Sequence, residues 1–216
     1  MDFVVEPGEG LNGEIILPGD KSISHRAIMC ASLASGTSTI KGFLESEDCL
    51  ATMRSFQELG VDITKEGNYL KIEGKGLYGL RKPDRILDVG NSGTSMRITT
   101  GILAGQKFDS IITGDESLLK RPMGRIIEPL KEMGFSVIAQ KGGTPPLKIS
   151  KVNQVYPINY ELPIASSQVK SCLMFAALYA SDTSVIKESK VTRDHTERMF
   201  KKFGMPIDIK KSKFSK

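Results

Sequence analysis

The chain has 216 residues, 39% apolar and 25% charged, which suits one globular domain with part of a second. Lys and Arg number 30 against 25 Asp and Glu, but aromatics are only 6% and no basic stretch is interleaved with them, which argues against single-strand nucleic-acid binding. No apolar run is long enough for a bilayer and no basic-then-apolar leader opens the chain; with three cysteines lacking CxxC spacing, reduced buried thiols in a cytoplasmic protein are expected.

In chain order, residues 3–5 and 13–17 read as two short strands, the second broken by Pro18-Gly19. The stretch PGDKSISHRA then opens a helix over 21–33, with Asp20, Ser22 or Ser24 as its cap. A strand over 37–42 follows, then a helix over 49–59 opened by Glu47 and Asp48 and stopped by Gly60. Strands over 61–64 and 69–73 surround the Glu66-Gly67-Asn68 turn. The order then repeats. Asn91 to Ser95 begins a helix to Ala104, 110–113 is a strand, Gly124 begins a helix to Met133 stopped by Gly134, and strands over 135–139 and 147–150 flank a Gly-Gly-Thr-Pro-Pro turn. A third copy has a helix from Ser166 to Tyr179, a strand over 183–187, and a helix opened by Thr192 to Asp194 and stopped by Gly204. Only twelve residues follow Gly204: 205–209 suit a strand with no return, and the Lys-rich 210–216 reads as a solvated tail.

The register is regular. Arg26 to Arg97 is 71 residues and Arg97 to Lys170 is 73, while Gly60, Gly134 and Gly204 follow at steps of 74 and 70. Two series in step mark a repeat architecture. The leading helix of each copy is broadly apolar (Ile28, Met29, Leu33; Ile98, Ile102, Leu103; Leu173, Met174, Leu178), so these helices are expected inside and the sheets outside.

Helix starts carry the chemistry. They leave backbone N–H groups unpaired and partly positive. Lys21, Ser22, Ser24 and Arg26 stand on the first. The turn GNSGTSMR offers glycines and hydroxyls that let N–H groups approach an anion, without the Gly-Lys-Ser/Thr of a P-loop. Lys120 and Arg121 precede Pro122; Ser166, Ser167, Gln168 and Lys170 open another helix, and Arg193 another. A cation at a helix start opposes the dipole, a cost that a bound anion offsets. His25 and His195 read as polar first-turn residues, and no His, Cys and carboxylate cluster has metal spacing. The residues alone therefore leave two main readings: the seat of an enzyme that acts on a multiply charged anion, or a non-catalytic anion-binding module. A nucleic-acid binder, prompted by the net charge of +5, is the third.

From Pro18 to Gly204 the signatures PGDKSISHRA, GNSGTSMR, GDESLLKRPMG, SSQVKS and TRDHTER closely resemble, in order and spacing, those of the EPSP synthase family, the 3-phosphoshikimate 1-carboxyvinyltransferases. The resemblance implies an α+β fold of three βαβαββ repeats with helices inside and sheets outside. The units would be about 19–76, 88–150 and an incomplete 163–216, with residues 1–18 giving strands to an absent second domain. It implies transfer of the enolpyruvyl group of phosphoenolpyruvate to the 5-hydroxyl of shikimate 3-phosphate, a step of chorismate and aromatic amino acid biosynthesis. No metal or organic cofactor, nucleic acid or membrane is implied, and the full-length protein would be a cytoplasmic monomer. Carried over, Lys21, Ser22 and Arg26 would hold shikimate 3-phosphate, and Lys21 would also touch phosphoenolpyruvate. The Gly93 N–H and Arg121 would hold phosphoenolpyruvate, with Asn91 and Thr94 shaping the turn. Ser166, Ser167 and Gln168 would grip the shikimate phosphate, Gln168 reaching phosphoenolpyruvate as well, and Arg193 would lie along the ring. Acid–base residues are expected in the missing half, so this chain alone would be inactive. Two positions depart from the family pattern, Ser92 for Ala and Ile98 for Pro; Gly93 is kept, which implies that a full-length version is inhibited by glyphosate.

Overall fold

A computed structural model describes residues 2–67 and 69–210. The first run of elements is α1 (Lys21–Leu33), β1 (Ser35–Lys41), α2 (Glu47–Glu58), β2 (Asp62–Glu66) and β3 (Tyr69–Lys75). The second is β4 (Leu87–Asp88), α3 (Gly93–Ala104), β5 (Ser110–Thr113), α4 (Gly124–Glu132), β6 (Ser136–Ile138) and β7 (Leu147–Ser150). The third is β8 (Asn159–Leu162), α5 (Ser167–Ala177), β9 (Val185–Glu188) and α6 (His195–Lys202).

The sheets show one unit written three times. The second unit has the order β4-β5-β7-β6, with β4 parallel to β5 and the other pairs antiparallel. The first, β1-β3-β2, matches it without a leading strand. The third, parallel β8-β9, matches its leading pair without a closing hairpin among the described residues. Each unit's second helix ends alike. Gly60, Gly134 and Gly204 take positive φ of 85°, 88° and 72°, conformations that favour glycine. Their N–H groups and those of the next residues bond back to the helix, as in Val61 N to Phe56 O at 3.0 Å, Phe135 N to Leu130 O at 3.0 Å and Met205 N to Phe200 O at 2.9 Å. These are Schellman stops, placed where the glycine spacing predicts them.

Three expectations are corrected. Residues 3–5 and 13–17 are not strands: the chain from 2 to 20 has no regular structure, and Phe3, Val4, Val5, Leu11, Ile15, Ile16 and Leu17 are exposed. A strand needs a ladder partner, and none lies beside this segment among the described residues. Residues 205–209 are not a strand either. Their counterparts β2 and β6 pair with the central β3 and β7, not with β1 or β5, and among the described residues no strand fills that central place in the third unit. The rest of the tail, 211–216, lies outside the described residues, as does Asn68 of the first hairpin turn. The leading strands β4 and β8 escape the element-by-element reading: β4 has two residues, and β8 is set off by Pro157 and Pro163.

Helices α1, α3 and α5 form the core, as their apolar sequences predict; of the nine named apolar residues only Leu178 is partly exposed. The sheets lie outside, β1 being exposed or half-exposed along its length. The fit between α3 and α5 rests on Gly101, where a side-chain carbon would press into the Cys172 carbonyl. Gly101→Ala is therefore expected to lower stability by about 1–3 kcal/mol, an overpacking cost read from the urea midpoint. An unchanged midpoint would mean that the two helices have room to spare. Cys30, Cys49 and Cys172 are free and buried. Burial pushes the Cys30 and Cys172 thiols up to about 12, which leaves them poor nucleophiles. No helix among the described residues is long and apolar enough to cross a membrane.

Candidate functional site

At the start of α1, Asp20 is the cap: its carboxylate accepts from the Ile23 N–H at 2.8 Å. Lys21 Nζ donates to Asp48 Oδ2 on the first turn of α2 at 2.8 Å, and this hydrogen bond and charge raise the lysine pKa. Arg26 is only 2% exposed. It donates through Nε to Thr196 Oγ1 at 2.7 Å, through Nη2 to Ser171 Oγ at 2.8 Å and through Nη1 to the Ser22 carbonyl at 3.0 Å. One guanidinium thus joins α1, α5 and α6. Burial lowers its pKa, since a desolvated cation here meets only neutral acceptors. Arg193 Nη1 donates to Ser22 Oγ at 3.3 Å, so Lys21, Ser22, Arg26 and Arg193 stand together.

A second group forms at the start of α3. Ser92 caps it, accepting from the Ser95 N–H at 3.1 Å, a bond that alanine would lack. A carbon added to Gly93 would lie 2.8 Å from Arg97 Nη1 and 3.3 Å from Arg121 Nη1, so two guanidiniums flank this glycine. Arg121 Nη2 donates to Asn91 Oδ1 at 2.6 Å, and Asn91 Nδ2 donates to Asp115 Oδ2 at 2.6 Å. Gln168 bridges from α5: Oε1 accepts from Arg97 at 2.9 Å and Nε2 donates to Thr94 Oγ1 at 3.0 Å. Asn91, Gly93, Thr94, Arg121 and Gln168 are thereby gathered.

The first turn of α5 links the two groups. Ser166 caps it, accepting from the Val169 N–H at 3.4 Å. The Ser167 carbonyl accepts from the Ser171 hydroxyl at 2.6 Å, and that hydroxyl also receives Arg26. Lys170, expected to add a free cation here, does not. It is buried and paired with Glu188 at 2.9 Å and Glu197 at 2.6 Å. Its aliphatic stem can pass through the core only because carboxylates meet its charge there.

Beneath the site, His25 is fully buried rather than a polar first-turn residue. Its Nδ1 hydrogen-bonds Thr52 Oγ1 at 2.7 Å and Ser95 Oγ at 3.3 Å, while Ser95 donates to Ser92 Oγ at 2.8 Å. This network joins the starts of α1 and α3 to α2. Burial pushes the imidazole pKa down to about 4 from 6.5, against the pull of Asp48. The folded state then binds fewer protons than the unfolded state between those values. The His25 contribution is therefore whole above pH 6.5 and lost as pH falls toward 4. Its expected size is ~3 kcal/mol. Urea midpoints across this window should fall more steeply for the parent chain than for His25→Gln. Parallel curves would refute it.

Sequence reasoning passed over Arg97, Asp48, Ser171 and Thr196 as site-building residues. A signal existed for Arg97: it holds in the second copy the register of Arg26 in the first. Thr196 and Ser171 lie inside the signatures TRDHTER and SSQVKS, but nothing local ties them to Arg26, which reaches them across 170 and 145 residues.

A family model described as EPSP synthase (3-phosphoshikimate 1-carboxyvinyltransferase) matches residues 5–215. The chain belongs to the EPSP synthase family. It is 55% identical over 211 residues to the 3-phosphoshikimate 1-carboxyvinyltransferase of Ruthia magnifica subsp. Calyptogena magnifica, covering 98% of this chain and 48% of that one. The enzyme of that name from Alkalilimnicola ehrlichii is 52% identical over 208 residues, 96% of this chain and 47% of its own. Among solved structures, EPSP synthase from Acinetobacter baumannii superposes with a TM-score of 0.88 at 47% identity, covering 92% of this chain and 46% of that one. The chain thus spans about half the length of the EPSP synthases it matches. The α+β architecture expected from the signatures is shared with the matched part of the solved EPSP synthase structures.

Proposed function

We propose that this chain is the substrate-binding, amino-terminal half of a 3-phosphoshikimate 1-carboxyvinyltransferase. In the complete enzyme, the 5-hydroxyl oxygen of shikimate 3-phosphate loses its proton and adds to C2 of phosphoenolpyruvate while C3 takes up a proton, and the tetrahedral adduct then loses a C3 proton and expels phosphate. The observation that carries this reading is the convergence of Arg26, Arg97, Arg121 and Arg193 at linked helix starts. None of the four pairs with a carboxylate among the described residues. Cations held this way by neutral partners remain available to phosphate and carboxylate groups of a ligand. Lys21, Ser22, Arg26 and Arg193 then hold shikimate 3-phosphate, with Ser166, Ser167 and Gln168 on its phosphate. The Gly93 N–H, Arg121 and Lys21 hold phosphoenolpyruvate, and Asn91 and Thr94 fix the turn. Fixed donors of this kind stabilise charge that grows during addition.

Four carboxylates near the site are engaged: Asp48 with Lys21, Asp115 with Asn91 and the Leu118 N–H, Glu188 and Glu197 with Lys170. Acid–base work on this reading falls to residues outside the chain, which by itself binds without turnover. Residues 1–18, whose apolar side chains from Phe3 to Leu17 are uncovered, belong with the second domain, and 19–216 with the three-repeat body. The complete protein works in the cytoplasm, as a monomer, without metal or organic cofactor. Titrating the chain with shikimate 3-phosphate while following the Arg26 Nε–H and Gln168 side-chain NMR signals tests the reading. Saturable shifts at both are expected. Silence at both would favour a non-catalytic module of other specificity.

A further inference from the structure

We propose that Glu188 and Thr192 are positioning residues, a clamp that fixes the loop between β9 and α6 so that Arg193 is presented to shikimate 3-phosphate. Arg193 is exposed, and among the described residues its side chain bonds only Ser22 Oγ, at 3.3 Å. The backbone around it gives little support: among the described residues, 190–193 make no backbone-to-backbone hydrogen bond. Segments without such bonds open easily unless side chains hold them. Thr192 supplies the hold. Its hydroxyl, one residue before Arg193, donates to Oε2 of Glu188, the last residue of β9, at 2.7 Å. Glu188 is a firm anchor, because its other oxygen, Oε1, accepts from the buried Lys170 ammonium at 2.9 Å. The same ammonium lies 2.6 Å from Glu197 of α6. The strand before the loop and the helix after it thus meet on one cation, and Thr192 ties the loop itself to that junction. In the first two copies the register-matched cations, Arg26 and Arg97, meet neutral partners. In the third, Lys170 puts its charge into the frame that carries Arg193. An arginine already held in place loses less freedom when its ligand arrives, so the clamp raises affinity without touching the ligand.

The inference rests on the proposed function, which gives Arg193 its ligand, so one readout is taken without ligand and one with it. The 216-residue chain is compared with Thr192→Val, Thr192→Ser, Arg193→Gln and the double variant that joins Thr192→Val to Arg193→Gln. Thr192 is half-exposed, so water can replace its bond in Thr192→Val and the thermal midpoint should stay near the parent's. Without ligand, the heteronuclear NMR NOE of the Arg193 amide is expected to fall in Thr192→Val and to keep the parent's value in Thr192→Ser, which retains a hydroxyl. With shikimate 3-phosphate, calorimetry is expected to show binding weakened about threefold to tenfold by Thr192→Val and hardly at all by Thr192→Ser. Added to Arg193→Gln, Thr192→Val should cost nothing more. That non-additivity marks an effect passing through Arg193, whereas a general loosening of the fold would weaken binding in both backgrounds. An unchanged NOE in Thr192→Val, undiminished affinity in that variant, or an equal loss with and without Arg193 overturns the clamp. If the NOE falls as expected but the parent does not bind shikimate 3-phosphate, the loop is clamped as inferred and the function proposed above is what fails.

Discussion

Replacing Lys170 by Met is expected to destabilise the chain by roughly 3–5 kcal/mol, the range found when one partner of a buried ion pair is removed. The lysine side chain is 7% exposed, and its ammonium lies 2.9 Å from Glu188 and 2.6 Å from Glu197. Methionine fills nearly the same space, so lost volume is not the cause. Two carboxylates would instead face each other in a mostly buried site, and Glu197 already has one buried oxygen without a hydrogen-bond partner. In the parent, burial works to raise the Glu188 pKa, but hydrogen bonds from Thr192 and Lys170 hold it below the usual value. Without the lysine that balance reverses, and protonation becomes favourable in the folded state. The variant's deficit should therefore be largest at neutral pH and shrink on acidification. Adding Glu197→Gln should restore part of the stability. Denaturant midpoints at several pH values would show both effects, and a pH-independent deficit that Glu197→Gln does not relieve would refute the electrostatic account.

Arg26→Met is expected to weaken shikimate 3-phosphate binding by about 2–5 kcal/mol, roughly thirtyfold to several thousandfold. Arg26 is the most deeply buried of the unpaired cations, and its three hydrogen bonds fix the guanidinium at the junction of α1, α5 and α6. Its removal should harm binding more than folding. Ser171 and Thr196 already hydrogen-bond each other at 2.7 Å, so neither hydroxyl is stranded when the arginine goes. Calorimetry of parent and variant, beside their thermal midpoints, separates the two effects. An affinity loss below about threefold would remove Arg26 from the seat.

The parts of the fold that were legible are those fixed by neighbours in sequence. Pro18-Gly19 and the Asp20 cap set the start of α1 within one turn, and Gly60, Gly134 and Gly204 stop their helices through local backbone geometry. Strands 110–113 and 147–150 read correctly because short apolar alternation lies between clear turns. Distant partners decided the rest. The segment 13–17 alternates well enough for a strand but has no ladder beside it, whereas the two-residue β4 is a strand only because β5 lies parallel to it. In the site, the hydroxyls and cations of the helix starts announced themselves by type and register. Which cation stayed free did not. Lys170 and Arg97 hold equivalent positions, yet two glutamates 18 and 27 residues downstream neutralise only the lysine.

The uncovered segment ahead of α1 also governs how the molecule behaves in a crowd of its own kind. Phe3, Val4, Val5, Leu11, Ile15, Ile16 and Leu17 offer an oily ribbon to any passing copy, while the exposed apolar side chains of the folded body, such as Ile86, Ile138 and Val185, are spread over separate elements and loops. Among the described residues, the longest run of uncovered apolar side chains therefore lies ahead of α1, and that segment is where copies are expected to adhere at high concentration.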